Sequence, residues 1–410
     1  MERRVRLKRN ITLLRILQIV RSFTLTIPII VIFYKSAGMS IQDVMLLQAI
    51  FAAIIVVVEV PSGYFSDVLG RRKTLMIGSI FVVAGWAYYT VASSFGGFFV
   101  AELLLGIGFS FHSGTDSALL YDTLLELGTT ERSVREEGAQ LSAGNFAEAV
   151  AGVLGGLLAG ISLITPFHAQ AIVTIVLLPA SWMLVEPIVH RTEGRAASMR
   201  DVLATVHDAM VKNAELRWII IAGSIMGAST LTMVWLLQPY MLNVGVPVAW
   251  FGVIWASLNG LVGVFALRAH TLQERFGDRS TVVLLAIAVA IGYAVLGTWS
   301  TWIVLPVVVG FYFARGVGNP VFASAINVRV ASERRATVLS VRQLGMRVIF
   351  MIVGPVVGWV NDNVSMSVAL YVSALVFGMS SLVAVWLWGR SQRTSNGTLT
   401  SNVEVNSRIT

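Results

Sequence analysis

The chain has 410 residues, 56% of them hydrophobic and only 13% charged, with a net charge of +8 and no cysteine. A soluble globular domain carries about a quarter charged residues, whereas uncharged runs of about 20 residues are what a helix needs to cross a hydrocarbon core of about 30 Å. This composition excludes disulfides, thiolate metal sites and cysteine catalysis, and the runs are too long and too weakly alternating for barrel strands of about 10 residues.

The basic arm MERRVRLKRN, residues 1–10, leads straight into an apolar run with no small-residue cleavage site, which predicts a retained first span. Twelve spans are predicted in chain order: 11–34, 42–66, 74–93, 98–121, 138–163, 169–188, 216–242, 248–270, 281–298, 303–327, 337–360 and 367–388. Residues 11–188 form a first six-helix bundle, a polar loop at 189–215 follows, and 216–389 form a second bundle. The polar tail at 390–410 reads as disordered. The fold class expected is all-α and integral to the membrane, with two pseudo-symmetric six-helix bundles.

Lysine and arginine set the orientation. Of the 30 basic residues, Lys35 stands on the opposite face, Arg15, Arg21, Arg315, Arg342 and Arg347 lie within spans, and the other 24 fall on one side of the twelve spans. That side is expected to be cytoplasmic, with both termini on it, in the plasma membrane (the inner membrane of a cell with two). The positive charge is thereby explained by topology, and no nucleic-acid partner is expected.

An internal repeat is suggested by DVLGRRKT (67–74) after the second span and ERFGDRST (274–281) after the eighth. At one common offset Asp67, Gly70 and Arg72 match Glu274, Gly277 and Arg279. Parallel repeats of this kind mark one large class of transporters.

The stretch from Gly63 to Lys73 has the pattern G-x-x-x-D-x-x-G-R-R-K between the second and third of twelve spans. It resembles the signature of the major facilitator superfamily, and the span count, central loop and degenerate second copy extend the resemblance over the whole chain. Val68 stands where the family carries a basic residue. The resemblance implies a gating latch made of Gly63, Asp67, Gly70, Arg71, Arg72 and Asp122. In it Asp67 faces the start of the eleventh span and Arg71 pairs with Asp122. It also implies that spans one, four, seven and ten line a central cavity, and the branch it points to is that of drug and metabolite efflux.

Charges at mid-membrane are costly and face cavities or partners. Arg21, Arg315 and Arg347 are expected at the substrate cavity, with Trp235 and Gln238 supplying a stacking face and hydrogen bonds. Asp116 is the expected proton carrier, with Glu148 second. His112, four residues from Asp116 and so on the same helical face, is the expected relay. Glu59 and Arg342 are expected to form a structural pair. No phosphate-binding loop and no metal-ligand spacing occurs, so neither ATP nor a cofactor is expected.

The reading is a secondary transporter, not an enzyme, and a monomer in the bilayer. It would move a small organic molecule by alternating access, with protons as coupling ion. Five basic intramembrane residues against Glu59, Glu102, Asp116 and Glu148 favour an anionic or zwitterionic substrate. Export comes first, and uptake of a carboxylate by symport or uniport is the alternative. A non-transporting sensor or lipid-handling protein on the same scaffold is the remote third reading.

Overall fold

The computed structural model describes residues 2–188 and 204–407, without the side chains of Val60, Val134, Ser332, Glu333 and Ala336 or those beyond Gln392. Most of the central loop therefore lies outside the described residues, as do the side chains of the tail from residue 393 on. The described residues are helical with no strand; besides the expected spans, helix covers the arm from Glu2, residues 204–212 of the central loop and the tail as far as Ser407. They form two compact units. The first holds residues 1–194 with 235–259 and 354–362, and the second holds the remainder.

Three expected spans are interrupted. Span one is a helix over Glu2–Ser22 and a second over Ile30–Ser36, and Pro28, which lacks an amide hydrogen to donate, lies in the intervening stretch. Span four divides into Phe95–His112 and Thr115–Leu127. The left-handed Gly114 between them, at φ 74°, explains why the chain can turn there. Span six divides into Thr165–Thr174 and Leu177–Trp182. Backbone groups released by such breaks need partners inside a membrane. Two glutamines supply them in span one. Gln170 Oε1 accepts from the amide of Leu25 at 2.8 Å. Gln238 accepts from the amide of Val31 at 2.9 Å and donates to the carbonyl of Ile27 at 2.7 Å.

In the first unit, close helix packing runs over glycines. A Cβ on Gly155 would stand 1.9 Å from the carbonyl oxygen of Leu25, so span five can approach the break in span one only with hydrogen at that position. Gly152 and Gly156 of span five meet Gly252 of span eight in the same way, the small-residue contact by which helices associate in lipid. Span two (Ile41–Leu69) starts with a capping box of Ser40 and Asp43. Its first two amides also donate to Asp362 of span eleven, at 3.2 and 2.6 Å.

The repeat is visible in the two hairpins. Gly70, between spans two and three, and Gly277, between spans eight and nine, have φ of 90° and 76°. Thr74 returns its hydroxyl to the Gly70 carbonyl at 2.9 Å, and Thr281 does the same to Gly277 at 2.8 Å. In the first unit Arg71 pairs with Asp122 at 2.8 Å. At the matching positions of the second, Asp278 faces Arg329 at 4.0 Å with the charges exchanged.

Candidate functional site

The break in span four builds the site of the first unit. It places Asp116 in the first turn of a new helix, where a carboxylate complements the unpaired amides. Asp116 Oδ1 accepts from the amide of Ser117 at 2.8 Å. Its Oδ2 accepts from Arg21 Nη2 at 2.7 Å, and Arg21 also donates to Gln18 Oε1 one turn before it. The two charged side chains retain 17% and 15% of their exposure, enough for a solute to reach them. They line a cavity of 540 Å³ with Gln18, Ser113, Glu137 and Gln140. Gln140 is buried, and its amide nitrogen has no protein acceptor among the described residues.

His112 does not take the expected place. It ends the helix before the break, so the shared face with Asp116 that an unbroken helix would give does not exist. The imidazole is fully buried, with Nε2 3.2 Å from Ser79 Oγ and its edge against Gly78 of span three.

The second unit has a cavity of 250 Å³ between spans seven, ten and eleven, lined by Arg315, Asn319, Arg342, Gln343 and Thr230. Arg342 donates to Asn319 Oδ1 from both terminal nitrogens, at 3.3 and 3.4 Å, and its stem lies over Gly223. Arg315 is exposed and forms no ion pair among the described residues. The cavity thus offers two guanidinium groups and no carboxylate. A larger cavity of 770 Å³ lies near the basic loops, where Glu215 accepts from Arg329 at 2.7 Å and from Gln392 at 2.8 Å. There Asp208 holds Lys212 at 2.8 Å and Arg334 at 3.2 Å. The Lys212 hydrogen bond holds the Asp208 carboxyl below the usual carboxylate range.

Other expected site residues stand elsewhere. Gln238 is buried at the break in span one, outside the three cavities, and Trp235, three residues before it, is half-buried. Glu148 and Arg347 are half-buried on spans five and eleven, and neither lines the cavity of its own unit. Glu59 is exposed on span two, in the first unit, and Arg342 belongs to the second. The structure joins Arg71 to Asp122, while Asp67 and Gly63 lie at the exposed end of span two.

Sequence reasoning missed three positions. Glu186, after span six, accepts from the amides of Arg71 and Arg72 at 2.8 and 2.7 Å and so caps span three beside Gly70. Nothing in the local sequence points from residue 186 to 71. Gln18 and Gln140 read as ordinary polar positions, although the HSGTD run at 112–116, glycine followed by helix-starting residues, carried a legible signal for the break that brings them to Asp116.

A profile of the Major Facilitator Superfamily matches residues 16–270. The chain belongs to that superfamily. It is a multi-pass membrane protein of a transporter family. Solved superfamily structures share its fold at low identity. The nucleoside transporter NupG aligns at a TM-score of 0.74 and 15% identity, over 95% of this chain and 99% of that one. A bacterial homolog of the human lysosomal transporter Spinster, in an inward-facing and unoccupied conformation, aligns at 0.71 and 15%, over 95% and 97%. A POT family transporter in complex with a thioalcohol-conjugated peptide aligns at 0.70 and 12%, over 93% and 96%. No curated protein matches the sequence.

Proposed function

We propose that the protein is a proton-coupled transporter of a small organic anion or zwitterion, with Arg21 as the anion-binding group and Asp116 as the proton carrier. The reading rests on one observation: Asp116 occupies Arg21 at 2.7 Å inside a solute-accessible cavity. A proton on Asp116 neutralises the carboxylate that competes for the guanidinium, so a substrate carboxylate can take its place. Proton and anion then bind together, and free energy links them with one sign: affinity for the anion rises as pH falls. Gln18 and Gln140 are within the same cavity to hydrogen-bond the bound group. In the second unit, Arg315 and Arg342 offer a further positive surface, which accords with a substrate bearing negative charge.

This linkage favours symport of a simple anion over the export expected from the sequence. Export by exchange requires substrate and proton to compete. The same pair supports that for a zwitterion, whose ammonium would claim Asp116 while its carboxylate claims Arg21. Binding to the purified protein separates the cases. A panel of monocarboxylates and amino acids is titrated at several pH values, with Asp116→Asn alongside. The symport reading expects carboxylate binding to weaken with rising pH, and expects Asp116→Asn to bind tightly at all pH values. Carboxylate binding independent of pH in the parent protein, or abolished by Asp116→Asn, contradicts it.

A further inference from the structure

Glu102 of span four is 4% exposed, lines none of the three cavities described above, and has no basic partner among the described residues. Its Oε1 stands 2.9 Å from the Tyr34 hydroxyl, 2.8 Å from the Tyr89 hydroxyl and 2.8 Å from the amide nitrogen of Gln48. The two tyrosine hydroxyls are themselves 2.5 Å apart. Four elements meet here: Tyr34 comes from the short second helix of span one, Gln48 from span two, Tyr89 from span three and Glu102 from span four. Phe98 and Phe167 close the surround, with ring centroids 5.0 Å from Tyr34 and 5.5 Å from Tyr89. The titratable groups in the cluster are Glu102, Tyr34 and Tyr89, and among the described residues no cation offsets a charge on any of them.

Hydrogen counting and the missing counter-charge together bear on what the cluster holds. Three oxygens, those of Tyr34, Tyr89 and Glu102 Oε1, form a triangle in which each edge is a hydrogen-bonding distance. Two phenols supply two hydrogens. If both point at an ionised Glu102, the short edge between the phenols has none, and two oxygens face each other bare at 2.5 Å. A third hydrogen gives every edge a donor: one tyrosine donates to the other, the second donates to Glu102 Oε1 beside Gln48 Nε2, and the protonated carboxyl of Glu102 donates back to the first. Burying a carboxylate without a counter-charge carries a penalty that hydrogen bonds offset only in part, and the neutral acid avoids it.

We propose that Glu102 is a proton-binding site, occupied in this state and separate from the Arg21–Asp116 pair. Releasing that proton leaves an uncompensated carboxylate at the junction of spans one to four, so release requires the junction to open. Proton occupancy is thereby linked to the seating of the helix Ile30–Ser36 on its neighbours. The inference does not depend on the transport reading, and its test uses neither substrate nor flux.

The test is infrared spectroscopy of the purified full chain in nanodiscs, with glutamate labelled by carbon-13 at the carboxyl. At neutral pH the parent protein is expected to show a carboxylic-acid carbonyl band, shifted by the label and absent from Glu102→Gln. Parent spectra without that band, or an unchanged band in Glu102→Gln, overturn the proposal. Should Glu102→Gln fail to fold, Tyr89→Phe serves instead. Removing one member of the ring should move the labelled band without abolishing it, and a band at its parental position overturns the proposal equally.

Discussion

At Gln238 a single amide satisfies two backbone groups at the break in span one, the amide of Val31 and the carbonyl of Ile27. A buried polar group left unpaired costs about 1–3 kcal/mol, so Gln238→Leu, which abandons one donor and one acceptor at similar volume, should destabilise by a few kcal/mol. Thermal unfolding in detergent checks this, with a clear drop in Tm expected and an unchanged Tm contradicting the assignment. The residue scale is also where sequence reading was weakest. A glutamine on span seven reads equally well as a substrate contact, because nothing in its neighbourhood announces that span one is broken opposite it. Arg21 and Asp116 were legible as intramembrane charges that need a partner or a cavity, and they prove to have both. His112 was misplaced by the assumption of a continuous helix: i, i+4 spacing guarantees a shared face only where the helix does not stop between the two residues.

At the scale of elements, the breaks in spans one and four position the site, and glycine permits both the turn and the approach. A side chain at Gly114 would have to adopt φ near 74°, a left-handed conformation that costs an L-residue about 1–2 kcal/mol. Gly114→Val should therefore straighten or strain span four and displace Asp116 from Arg21. Gly155→Val is the more severe change, since even a Cβ there would overlap the Leu25 carbonyl. Yield of monodisperse protein on size exclusion should fall sharply for Gly155→Val and only moderately for Gly114→Val. The reverse order would place the packing constraint wrongly. Span positions were readable because twenty apolar residues leave few other choices, whereas the breaks depend on tertiary partners such as Gln170 that lie 145 residues away.

At the scale of the whole molecule, the repeat explains why both hairpins carry a left-handed glycine and a threonine that bonds back to it. It also shows what the two halves no longer share. The ion pair beside each hairpin has opposite polarity, Arg71–Asp122 against Asp278–Arg329, so both of its residues differ between the halves while the contact is kept. Near the basic loops of the second unit, Asp208 binds Lys212 and Arg334. Its folded carboxyl titrates below its unfolded value, so its stabilising effect is present above the ordinary carboxylate range and is lost as pH falls through the lowered folded value. The Tm difference between the parent and Asp208→Asn should be small at neutral pH, because the group is exposed, and should vanish in acid. A difference that grows on acidification would contradict the sign.

The central claim is that Asp116 and a substrate carboxylate compete for Arg21, and that a proton decides between them. Proteoliposomes enclosing a pH-sensitive dye test it directly when a panel of organic anions is added outside, with Arg21→Gln as the control. The account predicts that one class of anion drives protons inward with it, that a more acidic exterior accelerates the movement, and that Arg21→Gln abolishes it. Labelled anion entering without proton movement, or entering undiminished in Arg21→Gln, would contradict it.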